Sequence, residues 1–273
     1  MDVVCVGDCG VDLYLPSGDR RFGGITANFA RHARREFRPD DIVRIISCIG
    51  DDAGADLVLS SLENSGIDCH LTRLPGRTPV QTIEIKADGE KDFVRYDEGV
   101  LGDFRFGTAE IDLIGSSDLL VAPVYLQIVG LFDELMDIDT KGRVSIDFAD
   151  FLEFPDFELL ERHLDRIDIG FFGLTADDAE MIDRIRGFAD RRNKTFVVTL
   201  GASGSMAFAG ARQFEQSAVQ VHQVVDTTGA GDAYAAGFLS RYCHGAGIEA
   251  SMARGAALAA TVIAETGGYD SGS

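Results

Sequence analysis

Seven residues, Asp226-Thr227-Thr228-Gly229-Ala230-Gly231-Asp232, leave the chain around them few choices. Before them, 219–225 carries valine at 219, 221, 224 and 225, a pattern that predicts a strand. After them, small and apolar residues repeat at helical spacing, predicting a helix over 230–243. A strand, a tight glycine turn and a helix start make a ready anion site. The first N–H groups of the helix are free, and its dipole is positive at that end. Gly229 and Gly231 let the backbone approach a bulky anion such as a phosphate. Asp232 puts a negative charge in the same place, and two readings account for it. It caps free donors in the first turn, or it faces an incoming hydroxyl and takes its proton while the turn holds a phosphoryl group.

Other nucleotide signatures are missing. No segment reads G-x-x-x-x-G-K-[ST], and Tyr234 stands where a dinucleotide fingerprint needs glycine. A net charge of −20 argues against nucleic acid or an anionic membrane surface as partner, but leaves room for a nucleotide at a local positive site. No apolar run is long enough to span a bilayer. The five cysteines are scattered and odd in number, without C-x-x-C or zinc spacing, so a reducing cytoplasmic setting is expected.

Strands are expected at 1–7, 44–49, 118–122, 143–147, 167–172 and 195–199. Helices are expected at 29–36, 126–136, 157–163, 176–190 and 248–265, with another ending near 64. Thr175 reads as the cap of the helix at 176–190. This alternation implies a mostly parallel sheet covered on both faces. Segments 13–22, 78–85 and 92–96 have β character with no helix near them; Ala87-Asp88-Gly89-Glu90 reads as the hairpin turn between the last two. They are expected to form a small separate sheet. The chain is otherwise read as one domain, 1–273.

Ligands of such folds bind beyond the carboxyl ends of strands. Asp8 and Asp12 follow the first strand, and carboxylates suit the hydroxyls of a polyol; both also read as ordinary turn residues. Gly23 and Gly24 precede a helix, and Asn28 both donates and accepts hydrogen bonds. Thr199-Leu200-Gly201-Ala202-Ser203-Gly204 is a second glycine turn at a strand end, also readable as a plain hairpin. Arg95 stands out in an acidic chain, although a solvated strand residue is its default reading.

Together, Asp226 to Asp232 and Gly23-Gly24-x-x-x-Asn28, in this order and separation, resemble the ribokinase-like (PfkB) sugar kinase family over essentially the whole chain. Gly7-Asp8 with Val11-Asp12, Tyr96-x-Glu98-Gly99-Val100, Asp103-Phe104 and Asp147-Phe148-x-Asp150 are most similar to its fructosamine-phosphorylating members. The resemblance implies a three-layer α/β/α fold with a β lid inserted at about 13–22 and 79–96. It implies ATP as donor with Mg²⁺, a sugar or fructosamine as acceptor, and a homodimer through the lid. Sister expectations are ribose, fructose, a keto-deoxy sugar acid or a nucleoside as acceptor. An expectation of another class is a catalytically weak regulatory binder.

By the same resemblance, Asp232 is the base, and the amides of Gly229, Ala230 and Gly231 form the anion hole. Such a base, at a helix N-terminus, is expected to have a low pKa. Asp12, Gly23, Gly24 and Asn28 match sugar positions, with Asp8 and Arg95 as further contacts. Thr199, Gly201 and Gly204 match the nucleotide turn; Asp226 and Thr228 match a K⁺ site. Asp147 and Asp150 are candidate counter-charges for an acceptor amine. An Asn-x-x-Glu motif associated with Mg²⁺ in many members is absent from 172–180, so no protein ligand for Mg²⁺ is assigned.

Overall fold

The computed structural model describes residues 1–85, 91–149 and 151–264. The turn expected at 87–90, Asp150, and the end of the last helix at 265 lie outside the described residues.

The chain opens with β1 (Asp2–Val6), β2 (Gly10–Leu15), β3 (Asp19–Gly23), α1 (Ile25–Glu36), β4 (Ile42–Ile49), α2 (Ala53–Leu62) and β5 (Asp68–Arg73). Then come β6 (Val80–Ile85), β7 (Lys91–Asp97), α3 (Thr108–Ser116), β8 (Leu119–Val124), α4 (Val129–Met136) and β9 (Arg143–Phe148). The chain continues with α5 (Phe157–His163), β10 (Ile169–Gly173), α6 (Ala179–Arg192), β11 (Thr195–Thr199), β12 (Ser205–Ala209), β13 (Arg212–Gln216), α7 (Ala230–Tyr242) and α8 (Ile248–Val262).

The main sheet has the order β13-β12-β11-β10-β9-β8-β1-β4-β5. It is parallel from β5 to β11, and β12 and β13 add antiparallel at one edge. Central strands β1 and β8 are buried almost throughout, as a sheet covered on both faces requires. One core cluster carries residues of α1, α2, α7 and α8, and the other carries residues of α3, α4, α5 and α6. These are the two helical layers of an α/β/α sandwich. The glycines of α7 and α8 allow close contact: a Cβ on Gly255 would lie 2.8 Å from the Tyr234 carbonyl oxygen. The small residues of α8 therefore serve its packing on α7.

A second sheet, β3-β2-β6-β7, stands apart from the first. Its β2–β6 pair is parallel and its other pairs are antiparallel.

Several expectations are corrected. The valine-rich stretch at 219–225 is not a strand, and Val219, Val224 and Val225 are exposed. The strand before the heptapeptide is β13, which is polar and lies earlier. α1 begins at Ile25 rather than Phe29, so Asn28 sits inside its first turn. Asp178 rather than Thr175 holds the N-cap position of α6, and its side chain makes no hydrogen bond to the helix. The Thr175 amide and hydroxyl both donate to the Asp178 carboxylate, at 2.8 and 2.6 Å.

Candidate active site

The heptapeptide forms a tight turn into α7. The Thr228 amide donates to Asp226 Oδ1 at 2.9 Å, which bends the chain back. Gly229 takes φ of 75°, a conformation that favours glycine, and stands at the N-cap of α7. The Ala230 amide is already engaged by the Thr227 carbonyl at 3.2 Å, whereas those of Gly229 and Gly231 make no hydrogen bond to the described residues. Gly231 has an ordinary helical backbone, and a Cβ there would meet nothing within 4 Å. That space belongs to a cavity rather than to the protein.

The cavity has a volume of about 760 Å³, within the range of small-molecule sites. It runs between the carboxyl ends of the main strands and the second sheet. Its lining takes Asp8, Asp12, Gly24, Asn28 and Arg95 from the first part of the chain. From the last part it takes Thr199, Thr228, Gly229, Gly231 and Asp232. Gly23, Ala230, Gly201, Gly204 and Asp226 are not among the residues that line it.

Some of those five have structural work to do. A Cβ on Gly23 would lie 2.2 Å from Asp12 Oδ1, so this glycine leaves room for the carboxylate. Gly204 (φ 95°) forms the β11–β12 hairpin, and a Cβ there would lie 2.1 Å from the Gln216 carbonyl oxygen. Gly201 (φ 53°) begins a 3₁₀ turn at Gly201–Ser203 with open space around it.

Asp8 is held by a helix. Its Oδ2 accepts from the Ile25 amide at 3.1 Å and its Oδ1 from the Thr26 amide at 3.2 Å. It caps α1 from 17 residues away, where Gly24 offers no side chain.

Asp232 is buried at the start of α7. Burial pushes its carboxyl well above the usual range, helped by the nearby Asp147, Asp8 and Asp12, while a hydrogen bond from Asn28 pulls the other way. The low pKa expected from the helix dipole is overturned: loss of solvent and three neighbouring carboxylates outweigh it. Asp147, at the carboxyl end of β9, is raised to about 7 by burial and by Asp8. No hydrogen bond or ion pair from the described residues reaches its carboxylate.

In the rest of the lining, Tyr96 and Asp147 entered the sequence reading only through the resemblance, and Tyr125 did not enter it. Tyr96 of β7 and Tyr125, just after β8, meet edge to face at 5.2 Å, with their hydroxyls 2.8 Å apart. They join the second sheet to the main body across the cavity wall. Tyr125 and Asp147 both follow the strand-end rule that pointed to Asp8, and that rule could have found them.

Among the described residues, no cluster of three or more His, Cys, Asp and Glu side chains could hold a metal, and no helix is long and apolar enough to cross a membrane.

A helix N-terminus with a buried carboxylate in its first turn, opening on a cavity, suits phosphoryl transfer. The chain belongs to the pfkB family of carbohydrate kinases, whose model matches residues 1–127 and 155–273. It is a phosphotransferase acting on a sugar hydroxyl. It is 30% identical to fructoselysine 6-kinase of Shigella flexneri, over 97% of this chain and 98% of that one. It is 26% identical to a fructosamine kinase of Bacillus subtilis, over 100% of this chain and 94% of that one. In fold it is similar to a ribokinase-type chain of E. coli solved in complex with ATP and Mg²⁺. That likeness has a TM-score of 0.80 at 19% identity and covers 98% and 94% of the two chains.

Proposed function

We propose that this protein transfers the γ-phosphoryl group of ATP to a hydroxyl of a fructosamine. The observation that carries this is Asp232, buried beside two free glycine amides in the cavity that also holds Asp12 and Asn28. The acceptor hydroxyl loses its proton to Asp232, its oxygen bonds to phosphorus, and the bond to the β-phosphate oxygen breaks to release ADP. The Gly229 and Gly231 amides and the α7 dipole stabilise charge on the transferring group. The Asn28 amide holds the base in place. Asp12 accepts from sugar hydroxyls, and Asn28 supplies the donor that a carboxylate lacks. Asp8 closes α1 and shapes the wall. The β11–β12 turn, with Thr199, Gly201 and Gly204, takes the nucleotide.

Mg²⁺ supplies charge neutralisation on the phosphates. Asp147 fits it: a carboxylate without a partner among the described residues, next to Asp232 and so on the phosphoryl side of the cavity. We assign it to the metal rather than to an acceptor amine. A K⁺ site fits the buried Asp226 carboxylate and the Thr228 carbonyl, and K⁺ replaced by Na⁺ should lower turnover. A homodimer through the second sheet, acting as a lid, belongs to the same reading and is checked by light scattering.

The acceptor is tested by ADP release over fructosamines, fructose, ribose, a keto-deoxy sugar acid and a nucleoside. A fructosamine should give the highest kcat/KM. Ribose as best acceptor would remove the fructosamine and leave the kinase. No release with any acceptor would favour a regulatory binder.

A further inference from the structure

The cavity does not end at the sugar-sized space around Asp12, Asn28 and Asp232. It continues to a mouth bordered by Phe93, Val94 and Arg95 of β7 and by Leu152, Glu153 and Phe154 after β9. β7 is one of the two edge strands of the second sheet, and three consecutive residues of it border the opening. Phe93, Val94, Leu152 and Phe154 are 61%, 54%, 41% and 53% exposed. Apolar side chains gathered at a cavity mouth, with charges beside them, mark a place where a ligand covers them.

The two charges are of opposite sign. The Arg95 side chain is 73% exposed, and its ion pair with Asp97 is loose, at 3.6 Å. Glu153 is exposed and makes no ion pair with the described residues. Apolar walls ending in one cation and one anion match a short methylene chain ending in an amino acid.

Resting on the fructosamine reading, we propose that this mouth is a subsite for the amino-acid tail of the acceptor. Its methylenes lie between Phe93, Val94, Leu152 and Phe154; its carboxylate pairs with Arg95 and its α-ammonium with Glu153. The hydroxyl to be phosphorylated must reach Asp232 at the closed end, so a tail on the far end of the sugar leaves through the mouth. A plain hexose would leave the mouth empty. A nucleoside would use the phenyl rings and neither charge.

The test uses the full chain and four fructosyl adducts: of lysine, of cadaverine (no carboxylate), of 6-aminohexanoate (no α-ammonium) and of butylamine. The lysine adduct should have the highest kcat/KM, with each missing charge lowering it about fivefold, the upper end for an exposed ion pair. Arg95→Gln should close the gap between the lysine and cadaverine adducts. Glu153→Gln should close the gap between the lysine and 6-aminohexanoate adducts. Equal use of all four adducts by the unaltered protein overturns the subsite and leaves the fructosamine reading standing. Gaps that persist in both variants do the same. Failure to phosphorylate any adduct, with a plain sugar accepted, overturns both.

Discussion

Asp232 must give up its proton before it can take one from an acceptor. Its raised pKa makes it a stronger base than an exposed aspartate, since the neutral form is favoured in the empty cavity. Asp232→Asn keeps the shape and loses the base, so kcat should fall roughly 100-fold or more while nucleotide affinity stays. Near-normal turnover would reduce Asp232 to a helix cap. Asp147 carries a linked cost. Its folded pKa of about 7 lies above the unfolded carboxylate value, so the folded protein holds this proton more tightly. That contribution is fully present below the unfolded pKa and is lost as pH rises through the folded one. The melting temperature of the ligand-free protein should therefore fall between about pH 5 and about pH 8, and Asp147→Asn should flatten the fall. An unchanged slope in Asp147→Asn would show that the carboxylate is not held neutral. Gly231 gives a third handle. Its Cβ position is open and its backbone is helical, so Gly231→Val should fold. Turnover should drop far more than sugar affinity, because only a bound phosphate meets the new methyl groups. Equal activity in folded Gly231→Val would remove the phosphate cradle.

At the scale of elements, the second sheet is joined to the main body at its cavity side by Tyr96 and Tyr125. Tyr125→Phe leaves the Tyr96 hydroxyl without its partner, at about 1 kcal/mol for a neutral hydrogen bond. The sheet should then close less firmly. Acceptor KM should rise about fivefold, and ADP release without acceptor should increase. No change in either would mean that the pair serves packing alone. The sequence made β1, β4, β8, β9, β10 and β11 legible because each is an apolar run buried on both faces. It hid β5 and β13, whose Asp68–Arg73 and Arg212–Gln216 are polar strands at the two edges of the sheet. It gave false weight to the valines at 219–225, which are exposed and irregular: β-branched residues favour extended backbone but need a neighbouring strand to form a sheet. Asp232, Asp12 and Asn28 were legible as a set from motif and order. Asp8 as the cap of α1, and Asp147 beside the base, were not, since both depend on contacts far apart in sequence.

Across the whole molecule, the cavity is closed on one side by a sheet that carries Asp12 and on the other by strand ends and α7. Asp12→Ala should raise KM for the acceptor much more than for ATP, because Asp12 lies on β2 of the second sheet, whereas the proposed nucleotide turn follows β11 of the main sheet. Equal effects on both would mean that Asp12 organises the lid rather than the sugar. Kinetics with both substrates varied would read the difference.

Asp8, Asp12 and Asn28 all precede the end of α1, whereas Thr199, Gly229, Gly231 and Asp232 all lie at or after the end of β11. Most of the groups we assign to the sugar thus lie early in the chain and most of those we assign to transfer lie late, with Asn28 bridging the two through its hydrogen bond to Asp232. Drift at Asp8 and Asp12 would change the sugar contacts while the late glycine turn and Asp232 stay in place, provided that Asn28 is kept. The same division invites laboratory recombination, with the N-terminal part of one relative joined to the C-terminal part of another.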